Sequence, residues 1–329
     1  MRAWRVHEPG EPTDVLVLED VPTPTPGPGQ VLIEVAASAL NFADVLLCRG
    51  QYQVRPPLPF TPGSEVCGRV VALGAGAPPD LAGRRVIGVP AFGPGGFTEC
   101  TVADAAMVHP IPDTLDDHRA AALHITYQTG HLALAHRARL AAGETLLVHA
   151  GAGGVGSAAI QLGRALGARV LATAGGPEKV AICRRLGAEV AIDARADDVV
   201  EVTKAVTDGR GADVIFDPVG GDTFDRSRRC VAFEGRILVI GFAGGRIPEI
   251  PANHVLLKNY SVVGVHWGLY HARAPAVVRR THEALMRLHA TGGIEPLVSR
   301  VIGLLQVPEA LRDLASRGTH GKVVVDVRS

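Results

Sequence analysis

The sequence has 329 residues, and its 33 basic and 33 acidic side chains give a formal net charge of zero at pH 7. Hydrophobic residues make up 47% of it and charged residues 20%, which is ordinary for a folded soluble protein. This balance gives no sign of the basic surface that nucleic acids or anionic membranes require. The length exceeds the usual size of a single core and predicts two domains.

The cysteines and the N-terminal residues bear on where the protein works. The five cysteines are scattered and show no C-x-x-C spacing; they are Cys48, Cys67, Cys100, Cys183 and Cys230. This pattern argues against a disulfide framework and suits a reducing compartment. The first residues lack the apolar stretch of a signal peptide, and no apolar run approaches the roughly 18–20 residues of a membrane span. We expect a soluble cytoplasmic protein that binds neither membrane nor nucleic acid.

Residues 1–120 favour an all-β region interrupted by many glycines and prolines. Short apolar runs predict strands at Val15–Leu18, Val31–Val35, Val66–Leu73, Arg85–Val89 and Phe97–Val102. Regularly spaced short strands suggest a compact, barrel-like domain. Among them, Asn41–Arg49 has helical spacing, with Asn41 as the predicted N-cap.

From residue 116 the pattern becomes helical, and after residue 144 strands and helices alternate. The predicted strands are Thr145–Ala150, Arg169–Thr173, Val190–Asp193, Val214–Asp217, Arg236–Gly241 and Ser261–His266. Alternating units with strands that are apolar on both faces predict a parallel sheet covered by helices. Six strands is the number found in a doubly wound dinucleotide-binding (Rossmann) sheet.

The turn Gly151-x-Gly153-x-x-Gly156 joins the first of these strands to a helix. Glycines at this spacing let the chain turn sharply, approach a pyrophosphate closely and pack the helix against the strand. The helix N-terminus then offers free N–H groups and a favourable dipole to the phosphates. Strand, turn and helix occur in the required order, so the sequence predicts dinucleotide binding.

The remaining tail contains two predicted helices, Ala276–Ala290 and Pro308–Ala315, and a final strand, Lys322–Val327. We expect the tail to return to the first domain and make it discontinuous. The predicted division is therefore a barrel-like domain of residues 1–121 and 267–329, and a dinucleotide-binding domain of residues 122–266.

Five short motifs give the chain a family resemblance: Asn41–Asp44, Arg49–Tyr52, Gly63–Glu65, His149–Gly156 and Asp217–Gly221. With the domain order, they resemble the zinc-independent NADPH:quinone oxidoreductases, the zeta-crystallin-like branch of the medium-chain dehydrogenase/reductase superfamily. The resemblance implies an α/β fold with a six-stranded Rossmann sheet and a discontinuous GroES-like β domain. It also implies hydride transfer from NADPH to a small-molecule acceptor.

Zinc-dependent members of the superfamily carry a Cys and a His where this chain has Asn41 and Ser64. A catalytic zinc needs about three protein ligands and one open position. Asp44 and Glu65 do not replace both a thiolate and an imidazole, so we predict no metal. Without a Lewis acid, alcohol oxidation is disfavoured, whereas quinones and activated C=C bonds accept hydride more readily.

The second predicted strand bears on the choice of nicotinamide cofactor. NAD-binding sheets usually have an acidic residue at its end, where this chain has Ala174. Lys179 follows at the start of the next helix and can reach a 2′-phosphate, which favours NADPH; the alternative is an exposed helix residue. The resemblance implies a polar residue near Gly176 and an aromatic residue where Ala194 stands.

The resemblance assigns further residues to the cofactor: Asn41, Phe42, Thr129, Gly151, Gly153, Gly154, Val155, Gly156, Thr173, Gly175, Gly176, Lys179, Val219, Gly241, Phe242, Ala243, Gly264, Val265, His266 and Arg317. At the reacting end it implies Asn41, Asp44 and Tyr52. The Asn41 amide can donate to a carbonyl oxygen, and the Tyr52 phenol matches a proton donor of related enoyl reductases. The alternative is that Asn41 only caps its helix and Tyr52 only packs.

Three functions follow as hypotheses. The first is hydride transfer from NADPH to a quinone, and the second is reduction of an enone, enal or enoyl thioester. The third is a non-catalytic NADPH-binding protein, crystallin-like or RNA-binding, which the zero net charge disfavours. The aromatic segment His266–Tyr270 either walls the acceptor pocket or lies at an edge used for dimerisation. We expect a homodimer.

Overall fold

A computed structural model describes all 329 residues. The chain forms two compact units, a first unit of Met1–Ile125 with Pro296–Ser329 and a second unit of Thr126–Glu295. The second unit therefore extends 29 residues beyond residue 266, the predicted end of the dinucleotide-binding domain (295 − 266). None of the helices combines the length and the apolar character needed to cross a membrane.

Hydrogen bonds at Glu295 explain why the second unit is longer than predicted. The Gln161 side chain donates to the Glu295 carbonyl at 2.9 Å and accepts from its N–H at 2.7 Å. The Tyr127 hydroxyl donates to the same carbonyl at 3.0 Å. Buried main-chain groups need such partners, so these bonds fasten the end of the segment to the second unit.

The N-terminal part of the first unit is mostly β structure. Its strands are β1 (Arg2–Val6), β2 (Leu16–Asp20), β3 (Gln30–Ala39), β4 (Val66–Leu73), β5 (Arg85–Gly88), β6 (Cys100–Asp104) and β7 (Val108–Pro110). The helices are α1 (Pro12–Val15), α2 (Phe42–Cys48) and α3 (Asp117–His131), and the boundary between the units falls inside α3. The chain continues from α3 through a π-helical turn, Leu132–Arg137.

The second unit alternates strands and helices. Its strands are β8 (Thr145–Val148), β9 (Arg169–Ala174), β10 (Val190–Asp193), β11 (Ala212–Asp217), β12 (Val231–Val239) and β13 (Ser261–Gly264). Its helices are α4 (Gly154–Ala165), α5 (Pro177–Arg185), α6 (Val199–Ala205), α7 (Gly221–Cys230), α8 (Ala252–Lys258), α9 (Trp267–Arg273) and α10 (Pro275–Ala290). All six strands are parallel, in the order β10-β9-β8-β11-β12-β13. This is the 3-2-1-4-5-6 order of a doubly wound sheet, and the predicted fold is confirmed.

The tail returns to the first unit as β14 (Val298–Gly303), α11 (Val307–Ala315) and β15 (Lys322–Asp326). These strands extend a seven-stranded sheet with the order β14-β15-β3-β4-β5-β7, in which β6 also pairs with β3. The long strand β3 pairs with β6 through its first half and with β15 through Ala37–Ala39. The predicted discontinuous β domain is therefore present, and the final strand lies beside the residues that lead into α2.

Candidate active site

The glycine turn of the second unit packs closely against its own chain. A Cβ atom on Gly156 would lie 2.2 Å from the Ala150 carbonyl oxygen, and one on Gly151 would lie 2.9 Å from Cys183 Sγ. Only glycine allows this close approach. Helix α4 begins at Gly154, and an α-helix leaves its first N–H groups without intrahelical partners. The turn and the helix N-terminus together form a cradle suited to a phosphate.

The other cofactor residues predicted in the sheet lie at the same edge, because all parallel strands of the second unit end there. Main-chain hydrogen bonds join three of the loops: Ala243 N–H to the Pro218 carbonyl at 3.0 Å, Gly244 N–H to the Val219 carbonyl at 2.8 Å, and Val265 N–H to the Val239 carbonyl at 3.0 Å. The edge therefore brings together Gly151, Gly153, Gly154, Val155, Gly156, Thr173, Gly175, Gly176, Val219, Gly241, Phe242, Ala243, Gly264, Val265 and His266.

His149 is part of a hydrogen-bond network beneath the glycine turn, formed with Thr173 and Ser227. Its buried ring contacts Thr173 Oγ1 through Nδ1 at 3.1 Å and Ser227 Oγ through Nε2 at 2.8 Å. Ser227 donates its own proton to the Thr223 carbonyl, so Nε2 donates to Ser227 and Nδ1 accepts from Thr173. Burial lowers the pKa of His149 and keeps the ring neutral. The Thr173 side chain therefore serves this network, while its carbonyl accepts from the Gly151 N–H at 2.8 Å.

A carboxylate at the end of β10 shapes the loop that follows β9. Asp193 Oδ1 accepts the Gly176 N–H at 2.8 Å and the Arg195 N–H at 3.0 Å. A Cβ atom on Gly175 would lie 3.1 Å from Arg195 Nε, and one on Gly176 would lie 3.5 Å from its Nη1. The Arg195 guanidinium thus lies in the space that a polar side chain near Gly176 would occupy.

Lys179 brings a second positive charge to the same loop. Burial lowers the pKa of Lys179, and the neighbouring Arg195 lowers it further. The charge of Glu178 acts in the opposite direction. Two adjacent cations favour an anion beside them, so this arrangement is suited to a phosphate group.

In the first unit, the start of α2 is fixed by a buried cluster of polar groups. Asp44 Oδ2 accepts the Asn41 N–H at 2.8 Å. The Asn41 side chain donates through Nδ2 to the Ala39 carbonyl at 3.1 Å and to Glu65 Oε1 at 2.9 Å. Its Oδ1 accepts from Lys322 Nζ at 2.7 Å. Because an ammonium can only donate, the orientation of the Asn41 amide is determined.

Lys322 and Glu65 form a buried ion pair in this cluster, with side chains that are 4% and 0% exposed. Lys322 Nζ makes three bonds of 2.7 Å, to the Leu40 carbonyl, Asn41 Oδ1 and Glu65 Oε1. Glu65 Oε2 accepts the Ile125 N–H at 2.8 Å. All three ammonium donors and both carboxylate oxygens are paired, as a buried ion pair requires. No group of three or more His, Cys, Asp or Glu side chains is arranged to hold a metal ion.

These bonds correct two predicted roles. Both amide protons of Asn41 are already used, so Asn41 cannot donate to a carbonyl oxygen of a ligand and retains only a lone pair on Oδ1. Asp44 was predicted to face the reacting end, but its side chain is fully buried. It therefore acts through its neighbours, holding the Asn41 N–H and accepting from Ser64 Oγ at 2.5 Å.

Comparison with known proteins identifies the family of the chain. Residues 27–113 match the alcohol dehydrogenase GroES-like domain, and residues 154–283 match the zinc-binding dehydrogenase family. The quinone oxidoreductase-like protein 2 homolog of Nematostella vectensis is 39% identical over 330 residues, covering 99% of this chain and 89% of that protein. The chain belongs to the quinone oxidoreductase family of medium-chain dehydrogenases/reductases.

Two further matches concern cofactor and substrate. The solved Escherichia coli quinone oxidoreductase, in complex with NADPH, superposes with a TM-score of 0.93 and 27% identity, covering 99% of this chain and 100% of that one. A phthioceranic/hydroxyphthioceranic acid synthase of Mycobacterium tuberculosis contains a segment 34% identical over 308 residues, which is 92% of this chain and 14% of that protein. The predicted family and fold are confirmed.

Sequence reasoning missed four residues of this quinone oxidoreductase family member. Arg195 lies two positions after the third strand of the Rossmann sheet. Its place in the loop at the carboxyl end of that strand could have marked it as a candidate cofactor residue. His149 and Ser64 stand inside motifs that the sequence analysis quoted, without an assigned role. Lys322 was predicted only to begin the last strand. Its role depends on contacts with residues 281 and 257 positions away, which no local pattern reports.

The remaining predicted residues are placed individually. Phe42 is the half-buried first residue of α2, and Thr129 is nearly buried in α3 within the second unit. Arg317 follows α11 in the first unit with a left-handed φ of 62°. Tyr52 packs half-buried against the first unit's core, and both burial and the Asp44 charge raise its pKa. Contacts of these residues with a cofactor stay predictions.

Proposed function

We propose that the protein is an NADPH-dependent, zinc-independent oxidoreductase that reduces quinones. The observation that carries the cofactor assignment is the pair of cations, Lys179 and Arg195, beside the glycine cradle. The pair is suited to a 2′-phosphate, which NADPH has and NADH lacks. One charge-assisted hydrogen bond contributes about 1.5–3 kcal/mol, so each cation supports a preference of about ten- to a hundredfold.

The residues of the second unit fit the cofactor. The close packing that only glycine allows at Gly156 brings the start of α4 against the end of β8. The N–H groups of Gly154 and Val155 would then donate to the pyrophosphate. NADPH, when bound, supplies the hydride. Arg195 also provides a flat guanidinium in the loop where the family often has an aromatic residue, a surface able to stack on an adenine.

The first unit supports chemistry without zinc. The ammonium of Lys322 already neutralises Glu65, so a divalent cation beside it would meet like-charge repulsion. Neither Asn41 nor Ser64 can replace a thiolate or an imidazole as a zinc ligand. With no Lewis acid, the acceptor must take hydride readily, and quinones do. Tyr52, whose pKa is raised, holds its proton and donates a hydrogen bond to the acceptor oxygen as charge develops there.

The test is NADPH oxidation by the purified protein against a panel of quinones, enones and enoyl thioesters, with elemental analysis of the same sample. We expect turnover with quinones, at least tenfold higher kcat/KM for NADPH than for NADH, substoichiometric zinc, and no effect of a chelator. A preference for NADH would contradict the cofactor assignment. One zinc per chain together with loss of turnover on chelation would contradict the zinc-independent mechanism.

A second candidate function is reduction of an activated C=C bond in an acyl substrate. It is favoured by the similarity of nearly the whole chain to a segment of an acid synthase. The same panel separates the two functions, because an enoyl thioester reduced faster than every quinone would favour the second.

We also propose a cytoplasmic homodimer assembled along the outer edge of the Rossmann sheet. Strand β13 pairs only with β12 and leaves its other edge open. Leu256 and Leu257, on the preceding helix, are 73% and 77% exposed, and such exposed apolar residues are typical of interfaces. Light scattering after size-exclusion chromatography tests this: the mass of two chains is expected, and Leu257→Glu should give the mass of one.

A further inference from the structure

We propose that Ser64 and Asp44 form a proton relay that protonates the anion left on the acceptor by hydride transfer. This inference rests on the proposed function, because it requires a reduced acceptor that carries negative charge. Ser64 is the residue that meets the acceptor, and Asp44 acts through it.

The geometry leaves one place for a proton on Asp44. Its Oδ2 accepts the Asn41 N–H at 2.8 Å and is therefore occupied by a donor. Its Oδ1 lies 2.5 Å from Ser64 Oγ, a short distance that suits an O–H···O bond to a carboxyl group. Asp44 is fully buried, whereas Ser64 is half-buried. A proton can therefore leave Asp44 only through the serine hydroxyl.

The pair has two hydrogen-bonding states. When Asp44 is ionised, Ser64 donates its proton inward to Oδ1. When Asp44 is protonated, Oδ1 donates to Ser64 Oγ, and the serine proton is released to point away from Asp44. Protonation of the buried carboxyl thus turns the half-buried hydroxyl into a donor for whatever lies outside.

The charges around Asp44 place this change near neutral pH. Burial raises the pKa of Asp44 to about 6, and the charge of Glu65 acts in the same direction. The hydrogen bonds from Ser64 and Asn41 and the charge of Lys322 lower the pKa but do not cancel the effect of burial. The charge of Asp44 also acts on Cys48 and Tyr52. The pKa of Cys48 is raised to about 12 and that of Tyr52 is also raised, so both groups stay protonated near neutral pH. Asp44 is therefore the acid of this cluster that can give up a proton near neutral pH.

Hydride transfer adds one proton and two electrons to the neutral acceptor, which is left with one negative charge on its oxygen. The oxyanion takes the hydroxyl proton of Ser64, breaking its O–H bond, while Ser64 Oγ takes the proton of Asp44 Oδ1. The products are the neutral reduced acceptor, an intact serine and an Asp44 carboxylate. Asp44 recovers a proton from water through the same hydroxyl before the next turnover.

The experiment compares pH profiles of kcat/KM for the wild type, Ser64→Ala, Ser64→Thr and Asp44→Asn, with Ser38→Ala as control. Ser38 is a buried serine that bonds the Glu65 carbonyl, next to Ser64, and no hydrogen bond joins it to Asp44. We expect wild-type activity to fall as pH rises through about 6. Ser64→Ala should lose about a hundredfold, within the usual range for general acid catalysis, and Ser64→Thr should restore most of it. Asp44→Asn should remove the titration, and Ser38→Ala should retain the wild-type profile.

An infrared pH titration of the buried carboxyl group supplies a readout that does not depend on turnover. Its band should disappear near pH 6 in the wild type and be absent at every pH in Asp44→Asn. Wild-type rate and pH profile in Ser64→Ala, or a profile unchanged in Asp44→Asn, would overturn the relay while leaving the proposed function intact. Lack of NADPH oxidation by the wild type with every acceptor would overturn the proposed function and the relay with it.

Discussion

Each unit of the protein contains a buried polar cluster, and the two clusters differ in charge. In the second unit, His149, Thr173 and Ser227 are neutral, and each hydrogen bond has one direction. In the first unit, Lys322 and Glu65 form an ion pair, and Asp44 is a third ionisable group. The proton between Ser64 Oγ and Asp44 Oδ1 can be bound to either oxygen. A neutral network favours one arrangement of the glycine turn, whereas a charged network with a carboxyl group that titrates can exchange a proton. The chemistry of a buried site is thus decided by which side chains share its hydrogen bonds.

The largest expected effect comes from breaking the charged cluster at Lys322. Lys322→Met leaves Glu65 buried without its counter-ion, and breaking a buried pair in this way costs about 3–5 kcal/mol. Urea unfolding should show this loss in the free energy of unfolding. Adding Glu65→Gln to Lys322→Met should restore part of it, because the uncompensated charge is then gone. Equal stability of Lys322→Met and wild type would contradict the buried ion pair.

The next effect concerns pH and Asp44. Its native pKa is raised from 3.8 to about 6, so its stabilising contribution is complete below about pH 4 and is lost as pH rises through about 6. The full difference is about 3 kcal/mol at 1.36 kcal/mol per unit. Asp44→Asn lacks this loss and should gain up to that amount relative to wild type between pH 4 and pH 8. Chemical unfolding at each pH measures it, with the exposed Asp80→Asn as a control that should show no such gain.

Arg195 lies beside the neutral region and should affect the cofactor alone. Arg195→Ala should raise KM for NADPH about ten- to a hundredfold, from the loss of about 1.5–3 kcal/mol. It should raise KM for NADH much less, because NADH lacks the 2′-phosphate and loses only the proposed stacking on its adenine. Arg185→Ala, an exposed arginine on α5, is the matched control. Equal effects of Arg195→Ala on both cofactors would show that Arg195 does not contact the 2′-phosphate.

The smallest expected effect is on the pH dependence of stability at His149, which has the opposite sign to that at Asp44. Burial lowers the native pKa of His149 below 6.5, so the unfolded state binds the proton more tightly and stability falls as pH decreases below about 6.5. His149→Gln, which keeps a side chain able to donate and accept, should flatten this part of the stability curve. An unchanged slope between pH 7 and pH 5 would contradict the buried, neutral histidine.

The sequence predicted the second unit well because each element carries its own signal. Strands such as β10 and helices such as α10 lie within two residues of their predicted positions, since apolar runs and glycine turns are local features. Strand β14 was missed because it includes exposed Arg300 and Val301 at the edge of its sheet, so its pattern is not apolar. The end of the second unit was missed because the contacts of Glu295 are made with a helix 134 residues earlier.

The candidate site was only half predictable for the same reason. The glycine turn is a contiguous motif, so the spacing of Gly151, Gly153 and Gly156 could predict its geometry, whereas its contact with a phosphate stays a prediction. The role of Asn41 could not be predicted, because the orientation of its amide is fixed by Lys322, which lies 281 residues later, and one amide proton is taken by Glu65. A motif indicates which side chain is present, but its hydrogen-bonding capacity depends on partners from the rest of the chain.

The position of Lys322 has a consequence for biosynthesis. The acidic side chain of Glu65 is made early, and the ammonium that neutralises it belongs to β15, which leaves the ribosome 257 residues later. The second unit is contiguous and can fold while the tail is still being synthesised. The first unit stays incomplete until the last strand is available. A nascent chain therefore gains its Rossmann sheet first and its reactive cluster last, and a chain cut short before residue 322 lacks the latter altogether.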